Sequence, residues 1–132
     1  MRRQHSLRAA RRYLNLAHAC GYVGLTPIYD HENLLMSFVK KHQLLDDDPA
    51  ERALLEGCTH HSGAKTYLRF ISLALLTLGR ASEAGFITDV AAAEINGRIL
   101  DIRAGLSELY QYHFQARRRV TREPSCDPRA VV

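Results

Sequence analysis

The sequence predicts an all-α fold, a bundle of about five helices ending in a long C-terminal helix. Three observations carry that expectation. Apolar residues recur at steps of three and four along most of the chain, cap and turn residues separate those periodic stretches, and no run alternates in the manner of a strand. With 132 residues, 46% of them apolar and 24% charged, the chain amounts to one domain with a modest core.

The first helix is expected from about Ser6 to Val23, because Leu7, Ala10, Leu14, Ala17 and Cys20 share a face that Arg8, Arg11, Arg12 and Asn15 largely avoid. Thr26-Pro27 interrupts it, since a residue before proline is driven out of the helical region. A second helix, from about Asp30 to His42, turns Leu34, Leu35, Phe38 and Val39 inward. "DDDPAER" then opens a short helix that stops at Gly57. Asp48 suits the N-cap, Pro49 the first helical position, and Glu51 the reciprocal position of a capping box. "CTHHSG" reads as a loop. A fourth helix, about Ala64 to Ala84, takes up the most apolar run and ends at Gly85 in a left-handed cap.

Thr88 or Asp89 caps the final helix. Along it Ile95, Ile99, Ile102, Leu106, Leu109 and His113 follow a four-three-four-three-four spacing, a seam expected to pack on neighbouring helices. Gly97 and Gly105 are expected to admit a close neighbour. The chain divides into a basic flank (1–10), the bundle (11–114) and a basic tail (115–132) expected to be disordered.

Charge is unevenly placed. Residues 1–13 hold five arginines and no acid, residues 115–132 hold five arginines against Glu123 and Asp127, and the stretch between carries eight basic and twelve acidic side chains. Basic ends suit phosphates or anionic surfaces. "RRQHSLRAARR" and "ARRRVTR", with Tyr110, Tyr112 and Phe114 as stacking rings, form the case for a small nucleic-acid-binding or adaptor module. Tyr110 and Phe114 lie beside the packing seam, which weighs against nucleic acid. The longest apolar run, "FISLALLTL" from Phe70 to Leu78, is nine residues, whereas a spanning helix needs about 20. The chain as written is therefore expected not to cross a bilayer.

Specific chemistry is sparse. Cys58, His60 and His61, completed by His18 and Cys20, lack the tight paired spacing of a zinc site, so no metal is expected. Asp46, Asp47 and Asp48 lack the alternation and central glycine of a calcium loop. No nucleophile elbow, phosphate-cradling glycine loop or H-E-x-x-H motif occurs, so no catalytic residue is expected and the chain does not read as an enzyme.

Two stretches, taken in order, resemble the bestrophin family of anion channels. Arg12-Tyr13-Leu14-Asn15-Leu16-Ala17-His18 is similar to the family's "RYxNL" segment. Tyr67 to Tyr112, with "EAGFITD", Ile95, Ile99, Arg103, Leu106 and "LYQY", resembles its "G.I.D…I…I…R..L..LY.YDW" run. "SFVKKHQLLDDDPAERALLE" is similar to the helical stretch between them, so the likeness covers residues 11–113. The resemblance implies cytosolic helices around the pore of a chloride channel, at the cytosolic face of the plasma membrane. It implies assembly with identical or bestrophin-like subunits, as a pentamer. It also implies that Ile87, in "GFITD", stands at a narrow apolar aperture. No cofactor is expected in this chain: the acidic calcium clasp of many animal members has no counterpart, and chloride would be the transported ion. The family's "RFP" is missing near Ile28–His31, tryptophan is absent, and "HFQARRRVTREPSCDPRAVV" stands where "YDW" and a membrane segment would follow. This chain is accordingly expected not to conduct alone, its membrane attachment depending on segments it does not contain.

Overall fold

In a computed structural model, residues 2–25, 28–59 and 61–120 are described, with the backbone alone at 31, 33, 34 and 117–120. They form five α-helices and no strand. Helix α1 spans Arg2–Leu25. A π-helical turn, His31–Met36, leads into the short α2, Ser37–Lys41. Then come α3 (Pro49–Glu56), α4 (Gly63–Glu83) and α5 (Asp89–Val120).

Helix α1 begins earlier than its periodicity suggests, at Arg2. Arginine, glutamine, leucine and alanine are good helix formers, and Ala10 is already buried, so the basic flank is helical. The second helix departs from expectation in another way. Its first turn is widened: the Leu35 amide reaches the Asp30 carbonyl at 3.4 Å and the Ser37 hydroxyl donates to the Glu32 carbonyl at 3.3 Å. Leu35 and Val39 are fully buried and Phe38 is half-buried. The side chain of Leu34 lies outside the described residues.

Helix α2 ends in a paired 6→1 and 5→2 cap, with Leu44 N–H on the Val39 carbonyl (3.0 Å) and Gln43 N–H on the Lys40 carbonyl (3.4 Å). The left-handed residue of this cap is Gln43, φ 51°, where glycine would be strain-free. Helix α4 ends in the same way with the expected glycine. Gly85 has φ 72°, and Phe86 N–H meets the Ala81 carbonyl at 2.9 Å.

Helix caps separate the alternatives left open by sequence. Asp48 caps α3, its carboxylate accepting from Ala50 N–H at 2.9 Å with Pro49 at the first position. Glu51 does not complete a capping box. Its carboxylate turns away to Arg12 of α1, because a bidentate charge-assisted pair is stronger than one bond to an amide. Thr88 caps α5 through Ala91 N–H (3.2 Å), while Asp89 accepts from Ser82 (2.7 Å).

The core forms around α1 and α4, with α5 laid against both. Leu16, Cys20 and Val23 of α1 meet Phe70, Ile71 and Leu78 of α4, and Ile99, Leu106 and Tyr110 of α5 close over them. The tightest approach is between Gly24 and Gly63. A Cβ on Gly63 would lie 2.5 Å from Gly24 Cα, and one on Gly24 would lie 2.1 Å from the Tyr110 hydroxyl oxygen. Backbone meets backbone here because neither position carries a side chain. Gly97 and Gly105, expected to do this, have nothing within 4 Å of a built Cβ. Helix α5 continues through 115–120, residues assigned above to the tail. The expected disorder of 121–132 lies outside the described residues.

Candidate functional site

The most specific chemistry in the bundle is at the N-terminal half of α1. Arg12 and Glu51 form a two-point ion pair joining α1 to α3, with Nη2 to Oε1 at 2.7 Å and Nη1 on Oε2. The Glu51 side chain is 3% exposed and that of Arg12 13%. Arg12 also donates to the Leu44 carbonyl (3.0 Å), lies 3.7 Å from the Asp46 carboxylate, and stands 4.7 Å from the Tyr13 ring centroid. The Glu51 hydrogen bond raises the Arg12 pKa against the opposing effect of burial. Arg12 is therefore spent on holding the fold. The periodicity of α1 puts Arg12 off the buried face and gives no sign of the pair, which joins one of the five arginines of α1 to a glutamate 39 residues on, with nothing local to connect them.

Arg8 and Arg11 differ. Among the described residues neither has an acidic side chain within ion-pair distance. They line a cleft of about 420 Å³ between α1 and the α2–α3 turn, with Asn15, Phe38, His42 and the strained Gln43 also in its walls. A smaller hollow of about 310 Å³, lined by His18, Ala19 and Tyr22, shares Asn15 and Phe38 with it.

The metal-type residues are only partly brought together. Cys20 and Cys58 are buried free thiols that hydrogen-bond to each other. That bond, followed by burial, pushes the Cys20 pKa far up and keeps it a neutral thiol. His18 is instead exposed and stacks on Tyr22, 5.3 Å between centroids. His60 lies outside the described residues. Among those described, no group of three metal-ligating side chains occurs.

Of the seam on α5, Ile99 and Leu106 are buried and Ile95 is half-buried. Ile102 and Leu109, expected to pack, are 41% and 50% exposed. The helix turns about 100° per residue, so the buried set Ala92, Ile99, Leu106 and Tyr110 centres roughly 40° around from the middle of the expected seam. Ile102 and Leu109 are thereby moved onto an open flank with Gly105 and Tyr112. Tyr110, which sequence left beside the seam, is central. Its hydroxyl donates to the Gly21 carbonyl (2.7 Å), its ring stacks on Tyr67 (5.5 Å), and burial raises its pKa well above the usual phenol value. Ile87 is 8% exposed and packs into the core at the joint between α4 and α5. The side chains of Arg117–Arg119 lie outside the described residues.

Among the described residues no helix is long and apolar enough to cross a membrane. Compared with protein-family models, curated proteins and solved structures, the chain gives no match.

Proposed function

We propose that this chain is a cytosolic helical segment of a bestrophin-like anion channel, one of five such segments around a central axis at the cytosolic face of the plasma membrane. The observation that carries the reading is the open flank of α5. Ile102, Gly105, Leu109 and Tyr112 follow three-four-three spacing, all four are exposed, and Gly105 leaves room for a helix to approach. A second seam beside the first is what a helix needs to face its own core and a neighbouring subunit together. The ordered likeness of residues 11–113 to bestrophins supports the same reading. Chloride is the ion by that resemblance, and membrane crossing belongs to segments outside this chain.

Ile87 takes the aperture role in this proposal. Since its side chain is covered in the single chain, lining an axis requires assembly to rotate the Gly85–Asp89 joint, and the left-handed Gly85 (φ 72°) is its pivot.

Native mass spectrometry of the 132-residue chain tests the assembly. Five copies are expected, and Ile102→Asp with Leu109→Asp should give monomers of unchanged helicity. A chain that remains monomeric at high concentration and ignores a bestrophin-like channel subunit in co-purification refutes the proposal.

A further inference from the structure

We propose that the paired hollows along α1 form a binding site for a nucleoside polyphosphate, with the phosphates between Arg8 and Arg11 and the base against Tyr22 and Phe38. The site needs only one chain, so it stands apart from the channel reading.

The phosphate end rests on charge left unneutralised. Arg12 is saturated by Glu51, Leu44 and Asp46, whereas Arg8 and Arg11 sit one helical turn apart facing the same cleft without an acidic partner among the described residues. Two guanidinium groups at that spacing match adjacent phosphates, each able to take two hydrogen bonds from one fork. His42 and Gln43 bring further donors from the opposite wall.

The base end rests on aromatic geometry. Phe38 belongs to both hollows and contacts the His42 ring at 4.6 Å between centroids. Tyr22 is exposed and already stacks on His18 with planes 7° apart. Asn15 stands between the two hollows, where an amide can both donate and accept toward a sugar or base edge.

The extent of the site favours one nucleotide over a strand. From Arg8 to Tyr22 is about 21 Å of helix and from Arg11 to Tyr22 about 16 Å, spans that a nucleotide with its phosphate chain covers together with the reach of the arginine side chains. Beyond Arg8 the next hollow, lined by His5, Arg8 and Arg12, also holds the Asp46 carboxylate, which disfavours a further phosphate there.

Isothermal titration of the full 132-residue chain tests the site, with ADP, inorganic pyrophosphate and an oligouridylate as probes. ADP is expected to bind once per chain and about tenfold more tightly than pyrophosphate, the difference being one stacked base. Arg8→Ala with Arg11→Ala should weaken ADP at least about tenfold. Both side chains are exposed, and circular dichroism checks that the fold persists. Tyr22→Ala should weaken ADP but not pyrophosphate, and Tyr22→Phe should restore it. Absence of ADP binding overturns the proposal. So does equal affinity for ADP and pyrophosphate with no effect of Tyr22→Ala, which marks a plain anion patch. Tighter, steeply salt-dependent binding of the oligouridylate also overturns it, in favour of a nucleic-acid surface.

Discussion

Replacing Glu51 by alanine should be among the most damaging single changes on the polar side of the bundle. The substitution leaves Arg12, 13% exposed, with the Leu44 carbonyl and the more distant Asp46 as its remaining partners. Breaking a buried pair costs about 3–5 kcal/mol. Asp46, itself largely exposed and 3.7 Å away, recovers part of that, so about 3 kcal/mol is expected. For a chain of this length each kcal/mol moves Tm by roughly 4 °C, giving a fall of about 12 °C. Urea and thermal unfolding followed by circular dichroism measure both quantities. The double variant Arg12→Met with Glu51→Leu should recover most of the loss, because two apolar side chains of similar volume replace the pair without stranding a charge. A Glu51→Ala variant within about 0.5 kcal/mol of the parent, or a double variant no better than the single, refutes the argument that the pair is closed off from water.

The glycines should divide sharply. Gly63→Ala, which forces a methyl group into the Gly24 backbone, is expected to cost at least about 3 kcal/mol, while Gly97→Ala, with open space at its Cβ, should stabilise by about 0.5–1 kcal/mol; urea midpoints compare the two. Stability should also fall in alkali. Burial raises the Tyr110 pKa in the folded state, so its contribution is complete below the unfolded phenol value of about 10 and is lost as pH rises above it. Tyr110→Phe should flatten the part of the profile above about pH 10, and a profile unchanged by that substitution would show that this phenol is not shielded.

Much of the architecture was legible because its signals are local. Pro49 after Asp48, Gly85 after Ala84, and Thr88 before the long helix each act within one turn, and each stands where its chemistry suggested. The departures come from distance. Glu51 matched a local pattern, but a partner on another helix competed for its carboxylate and won. Ile102 and Leu109 fit the spacing of a seam, yet spacing cannot say which way a helix is rotated against its neighbours. Gly24 and Gly63 gave no warning individually, because their meaning lies in facing one another. The candidate site was the least legible part. Arg8, Arg11 and Asn15 read as a solvated face of α1, and only the fold of the α2–α3 turn gives them an opposite wall.

The pairing of α1 with α4 has a consequence for the order of events during synthesis. Helix α1 ends at Leu25 and α4 begins at Gly63, so the two halves of the central pair are separated by a long stretch of chain. At translation rates of about 5–20 residues per second, α1 emerges several seconds before α4 is complete. During that interval Leu16, Cys20 and Val23 have no permanent cover. Closing so long a loop also places this bundle among slower folders than one whose helices pack in sequence order. The nascent chain therefore presents the apolar face of an otherwise basic helix to chaperones early, and the contact of Gly24 with Gly63 marks the moment at which that face is withdrawn.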